Sequence, residues 1–152
     1  MHFLKAFFHN YVLVCSGIGY AVAQLLKLII TICRERRLSL RILISSGGMP
    51  SSHAATVAAM TTAVGRTFGV ASGYFAISFV FASIVMYDAA GVRRETGEQG
   101  KLLNILARDL ADRADPAITM RHFKELVGHT PMQVLAGALL GLIIPFLYVS
   151  GV

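Results

Sequence analysis

Apolar and polar positions along the chain fall into long blocks rather than strict alternation. One apolar run extends from about Phe7 to Cys33. A second, rich in Ala and Thr, runs from Ser51 to about Arg66, a third from Val70 to Ala90 and a fourth from Pro131 to Val149. Against the roughly 20 apolar residues needed to cross a bilayer, these four are the candidate spans. The second is short, and Gly65 and Gly69 bracket a tight turn into the third, so the two read as a helical hairpin. Small residues are dense in the second run (Ala54, Ala55, Thr56, Ala58, Ala59, Thr61, Thr62) and suit close helix contact. Between the third and fourth runs lies the one long polar stretch, Gly91 to Gly128. Within it Leu102, Leu103, Leu106 and Leu110 recur at helical spacing against Arg108, Asp109, Asp112 and Arg113. That pattern predicts an amphipathic helix on the membrane surface or over the bundle, ended by the segment Asp112 to Pro116.

Composition sharpens the class. Of 152 residues, 55% are hydrophobic and only 14% charged, whereas soluble domains run near 25% charged. The expected fold is all-α: an integral membrane helical bundle of about four apolar helices plus an amphipathic interfacial helix, in a single domain over residues 1–152. The formal charge of +6 raises nucleic acid as a partner. The basic residues follow apolar spans with no aromatic interleaving, which argues against nucleic acid and for anionic lipid headgroups. Cys15 and Cys33 lie eighteen residues apart on one helix, too far for the roughly 7 Å that a disulfide tolerates. Ala21-Val22-Ala23 imitates a signal-cleavage site, but the hydrophobicity continues to Ile32, so the segment reads as a retained helix.

Charge also orients the chain. Arg34, Arg36, Arg37 and Arg41 follow the first run, and Arg93, Arg94, Lys101, Arg108, Arg113, Arg121 and Lys124 occupy the long polar stretch, eleven of the fourteen basic residues. Four spans place both groups on one side, and the positive-inside rule makes that side cytoplasmic. Lys5 and Arg66 fall opposite. The expected location is the cytoplasmic membrane with the polar face toward the cytoplasm.

The unusual polar residues gather on that same face. Lys27 and Arg34 lie at the end of the first run. "SSGGMPSSHAA", Ser45 to Ala55, opens the second helix, "YDAAGVRR" closes the third, and "GHTPMQ", Gly128 to Gln133, opens the fourth. In the first motif Pro50 suits the first helical position, Gly47 and Gly48 allow close backbone approach, and the amides after Ser51 and Ser52 form an anion seat. In the last, Pro131 begins a helix capped by Thr130, with His129 beside its positive end and Gln133 four residues on. Asp88 near the end of a span needs a partner. Arg93 or Arg94 can pair with it; alternatively the arginines clamp phosphate oxygens while Asp88 orients them or a histidine. His53, His129 and Asp88 nominally supply three metal ligands, but Lys27, Arg93 and Arg94 would repel a metal ion. Cations around two imidazoles suit phosphate, with no metal and no cofactor.

These motifs, with "AQLLK" and "GHTPMQVLAGALLG", closely resemble the divergent branch of the type 2 phosphatidic acid phosphatase superfamily, which also holds bacterial acid phosphatases and vanadium haloperoxidases. The likeness extends from Ala23 through the last helix. Lys27 and Arg34 keep the superfamily's Lys-x6-Arg spacing, with Glu35 in place of proline. Pro50-Ser51-Ser52-His53 resembles its Pro-Ser-Gly-His motif, and His129 matches the histidine of its third motif. The Ser-Arg that precedes that histidine is absent, so Arg93 or Arg94 takes its place from another helix. The family aspartate is Gln133.

The resemblance implies hydrolysis of a phosphomonoester in two steps: His129 is the nucleophile, and His53 protonates the leaving oxygen and later activates water. Lys27, Arg34, Gly48, Ser51, Ser52 and an arginine from Arg93–Arg94 hold the phosphate. Gln133 can accept the Nδ1–H of His129 through its amide oxygen but cannot stabilise an imidazolium as a carboxylate does, so slow turnover follows unless Asp88 supplies the charge. Burial at helix ends implies a lipid phosphate whose tails remain in the membrane. The alternative is a non-catalytic lipid-phosphate binder or transporter on the same scaffold. A bundle of about four spans also leaves room for a homo-oligomer.

Overall fold

The computed structural model describes residues 2–36, 48–113 and 128–148, with His2, Phe3, Arg34, Glu35 and 110–113 by backbone alone. Arg37, Arg41, Ser45, Gly47, Pro116, Arg121, Lys124 and Val149 lie outside the described residues. Within them every regular element is a helix: α1 (His2–His9), α2 (Tyr11–Glu35), α3 (Ser52–Phe68), α4 (Gly73–Ala90), α5 (Val92–Arg113) and α6 (Pro131–Leu147). This is the all-α membrane bundle that the hydrophobic blocks predict.

Three boundaries differ from the sequence expectation. The first apolar run is broken at Asn10, whose side chain accepts the amide of Leu13 at 3.1 Å and caps α2; an asparagine oxygen satisfies an orphan helix amide that hydrophobicity alone does not reveal. Pro50 is not the first helical residue. Ser51 is the cap, its hydroxyl accepting the Ala54 amide at 3.3 Å, and the helix begins at Ser52. The amphipathic helix starts at Val92, directly after Gly91, and so covers much more of the polar stretch than the leucine spacing marks.

Length separates the spans. α2 offers a 23-residue, predominantly apolar segment from Tyr11 to Cys33, and the other segment of span length begins at Gly73 and carries α4. α3 and α6 have 17 residues each, roughly 26 Å of helix, a few ångströms less than a hydrocarbon core.

α3 is the central helix and packs against α2, α4 and α6. The reason is the absence of side chain where the helices cross. A β-carbon on Gly19 of α2 would lie 2.9 Å from the Ala55 carbonyl oxygen and 3.1 Å from Cβ of Ala59. On α6, one on Gly137 would overlap the Ser51 carbonyl oxygen, and one on Gly141 would lie 2.7 Å from Cβ of Ala58. With lipid outside, such close backbone packing is what holds helices together. Thr61 adds a hydroxyl bond to the Ser78 carbonyl at 3.1 Å across α3 and α4. Outward faces stay greasy: Ile77, Phe79, Val80, Phe81 and Ile84 of α4 are all exposed.

One end of the bundle is tied by Tyr11, whose hydroxyl donates to the Pro145 carbonyl at 2.6 Å and accepts from Arg66 at 2.8 Å. Arg66 also lies over the Phe146 ring. An aromatic and cationic cluster of this kind suits a membrane interface. The histidines and Lys27 singled out in the sequence lie at the other end.

Candidate functional site

Four helix ends meet there, and backbone bonds lock them. The His129 amide donates to the Ala89 carbonyl at 2.9 Å, joining the mouth of α6 to the last turn of α4. The Ser51 amide donates to the Gln133 carbonyl at 3.0 Å, joining the mouths of α3 and α6. Gly48, at φ +102°, lies against the aliphatic stem of Lys27 from α2; an added β-carbon would sit 3.2 Å from it in a conformation that disfavours side chains. Gly128, at φ +90°, is pressed on the backbone of Arg93 and Arg94, where a β-carbon would lie 2.6 Å from the Arg93 carbonyl carbon. The two glycines therefore let the segments before His53 and His129 approach Lys27 and the start of α5 closely.

The imidazoles face each other. His53, in the first turn of α3, and His129 have ring centroids 5.9 Å apart in an edge-on arrangement. His53 is half-buried, while His129 and Lys27 are each 1% exposed. No described carboxylate pairs with Lys27. Both ring nitrogens of His129 and Nδ1 of His53 are buried without a hydrogen-bond partner among the described residues. Buried polar atoms are normally satisfied, so three orphan nitrogens beside a buried cation mark this as the place for a polar ligand. Among the described residues, no acceptor meets the Ser52 and His53 amides at the start of α3, which adds donors and the positive helix end.

Ser51 and Ser52 are buried at the mouth of α3. Asp88 pairs with Arg93, Oδ2 to Nε 2.6 Å. The charges of Arg93, Lys27 and Asp88 all act on His53. Arg94 is exposed and serves the site through its backbone contact with Gly128. Arg34 lies in the last turn of α2. Gln133 departs from expectation: its Oε1 accepts the Thr130 amide at 3.0 Å while its own amide is capped by the Thr130 hydroxyl. This is a capping box, which draws the glutamine to the helix start rather than to the imidazole. Its amide and the Gly48 backbone lie near enough to favour a proton on His129, yet neither completes a bond of ordinary geometry.

Sequence reasoning missed the Ala89 and Gln133 carbonyls that fasten the site, because backbone acceptors leave no residue signature. A cavity of about 710 Å³ lies at the opposite end of the bundle, lined by Tyr11, Met60, Val64, Phe68, Ile77 and Phe81 among others. It is apolar and far from these groups.

Two expectations follow from the capping box and from burial. Gln133→Ala should cost about 1 kcal/mol through the lost cap, whereas Gln133→Glu should keep the cap and leave stability unchanged; thermal midpoints in detergent check both. Burial, then the Lys27 charge, holds the His129 imidazole down at about 4. The unfolded chain binds that proton near pH 6.5 and the folded chain near 4, so this contribution is complete above 6.5 and is lost as pH falls toward 4. About 3 kcal/mol should disappear over that window, and His129→Gln should flatten the slope of midpoint against pH between them.

The Divergent PAP2 family matches residues 8–144, and the chain belongs to that family. It is 38% identical over 145 residues to the "Uncharacterized membrane protein YuiD" of Bacillus subtilis (strain 168), covering 89% of this chain and 91% of that relative. No solved structure matches.

Proposed function

We propose that the protein is a membrane phosphatase that hydrolyses lipid phosphomonoesters through a phosphohistidine on His129, without a metal. The observation that carries the reading is the pair of imidazoles, 5.9 Å apart, beside a buried lysine with no carboxylate partner among the described residues. A neutral imidazole is the form that attacks phosphorus, and burial keeps His129 neutral at physiological pH. His53 protonates the departing alcohol and then, as base, activates the water that releases phosphate. In-line attack needs phosphorus between the two rings, so the half-buried His53 turns out of its edge contact when substrate enters. Lys27, Arg93, the helix-start amides of α3 and Arg34 neutralise the equatorial oxygens, the kind of preorganised charge that supplies the largest catalytic contribution.

Family membership and the membrane bundle support a lipid phosphate such as phosphatidic acid, phosphatidylglycerol phosphate or an isoprenoid phosphate. The basic loops support a site at the cytoplasmic face of the cytoplasmic membrane, within one domain. The second reading, a lipid-phosphate binder or transporter, is favoured by Gln133, which stands where the family aspartate would be and is engaged as a cap.

Phosphate release from micellar phosphatidic acid by the purified protein, with chelator present and vanadate as inhibitor, tests the proposal. Release that persists with chelator and stops with vanadate supports it. Binding without release supports the second reading, and loss of release on chelation counts against the mechanism.

A further inference from the structure

We propose that the apolar cavity at the far end of the bundle is a lipid site in the leaflet opposite the two histidines. It takes one acyl chain of an anionic phospholipid, whose headgroup phosphate binds Arg66. The inference does not depend on the phosphatase reading, because no residue of that site takes part.

The cavity follows from the packing. α2 and α4 both pack on α3 but, among the described residues, not on each other. A cleft of about 710 Å³ is left between them along the last turns of α3, within the size range of ligand pockets. Tyr74 and Phe81 both line it and stand seven residues apart on α4, so the cleft runs roughly 10 Å along the helix axis, the direction of a lipid tail. Its rim is aromatic: Tyr11 on one side, and on the other Phe68 and Tyr74, with ring centroids 4.9 Å apart. Met60, Ile77 and Phe81 form the deep end. The two hydroxyls in the wall are bonded within their own helices, Thr67 to the Ala63 carbonyl and Ser78 to that of Phe75, both at 2.9 Å. The Asn10 side chain caps α2. The wall therefore presents hydrocarbon, which suits an acyl chain and not a polar metabolite.

Charge selects the kind of lipid. No Asp or Glu occurs in residues 1–34, 36–87 or 126–152, so no segment that builds this end carries a carboxylate. Arg66, in the last turn of α3, is exposed and gives one hydrogen bond among the described residues, to the Tyr11 hydroxyl at 2.8 Å, although a guanidinium has five donors. Its central carbon lies 5.8 Å from the centroid of the Tyr11 ring, and that ring lines the cavity. Charge and cavity are thus one side chain apart. A planar guanidinium with donors to spare, at headgroup depth above a tail-shaped cleft, suits a phosphate.

The chain contains no tryptophan, so Phe81→Trp places a single fluorophore in the cavity. Phe79→Trp, on the lipid-facing side of the same helix, places a matched one outside it. Each full-length variant is reconstituted in vesicles of zwitterionic phosphatidylcholine with a minor share of anionic phosphatidylglycerol, and each lipid in turn carries brominated, quenching acyl chains. Mole for mole, phosphatidylglycerol should quench Phe81→Trp up to about fivefold more effectively than phosphatidylcholine, the ceiling for an exposed ion pair, whereas the two should quench Phe79→Trp equally. Adding Arg66→Gln to Phe81→Trp should abolish the preference. Phosphatidylglycerol carries no phosphomonoester, so turnover at the histidine end does not alter the readout. Equal quenching of Phe81→Trp by both lipids, or a preference that survives Arg66→Gln, overturns the proposal. So does a cavity fluorophore that neither lipid quenches, which would mean that protein, such as a second copy of the chain, fills the cleft. If Arg66→Gln fails to fold, high salt on the Phe81→Trp protein takes its place: screening should shrink the preference, and one indifferent to salt overturns the site.

Discussion

A His129→Ala variant is expected to release phosphate from micellar phosphatidic acid at least about a thousandfold more slowly than wild type, because loss of a nucleophile removes the covalent route altogether. The protein should still fold. The His129 backbone amide keeps its bond to Ala89 in any residue but proline, and the ring nitrogens make no hydrogen bond whose loss would strand a partner. A cavity remains the main cost, so His129→Gln, nearer in volume, serves as the packing control and should be equally inactive. His53→Ala separates the two roles. A general acid matters less when the leaving group needs no proton, so that variant should still release a burst of p-nitrophenol from p-nitrophenyl phosphate, with phosphate release slow for want of the base, while His129→Ala should show no burst. Phosphate release by His129→Ala near the wild-type rate would remove the nucleophile assignment and leave the binder reading in possession of the fold.

Much of this site was legible because membrane insertion restricts what a chain can do with polar groups. A lysine, two histidines and an aspartate inside or beside apolar runs are costly, so their convergence on one set of helix ends marked the pocket before any coordinates. Arg66 at the other end was legible by the same topology, and the structure puts it there with Tyr11 and Phe146. The failures lie where two local preferences compete. Proline favours the first helical position and serine the cap; in "PSSH" the serine hydroxyl's bond to the Ala54 amide wins and shifts Pro50 outward by two residues. Thr130-Pro131-Met132-Gln133 carries a capping-box pattern, and at Gln133 that local preference competes with the role that the family aspartate's position implies. The first part of α5 is hidden in the sequence because Gly97 and Gly100 imitate a loop. Their helix cost of about 1 kcal/mol each is overcome by context that sequence periodicity does not contain.

Packing and chemistry are coupled through α6, and the second large effect follows from that. Gly137→Leu is expected to destabilise the protein by about 3 kcal/mol or more, the upper end for overpacking, because the added atoms meet backbone rather than flexible side chain. The obstacle is the Ser51 carbonyl, with Cβ of Ala54 at 3.1 Å behind it. Moving Ser51 breaks the amide bond to Gln133 that joins the two helix mouths and shifts His53 two residues on. Activity should therefore fall further than the folded fraction does when phosphate release is measured at a temperature where the variant remains helical. Gly141→Val, one turn deeper against Ala58, should cost similar stability with less loss of activity per folded molecule, being remote from Ser51. Gly17→Ala is the control: nothing lies within 4 Å of its added carbon, and alanine is the better helix former by about 0.5–1 kcal/mol, so its midpoint should hold or rise. If Gly137→Leu melts with Gly17→Ala, α3 and α6 do not touch at that glycine, and the two histidines are not held together by the packing described above.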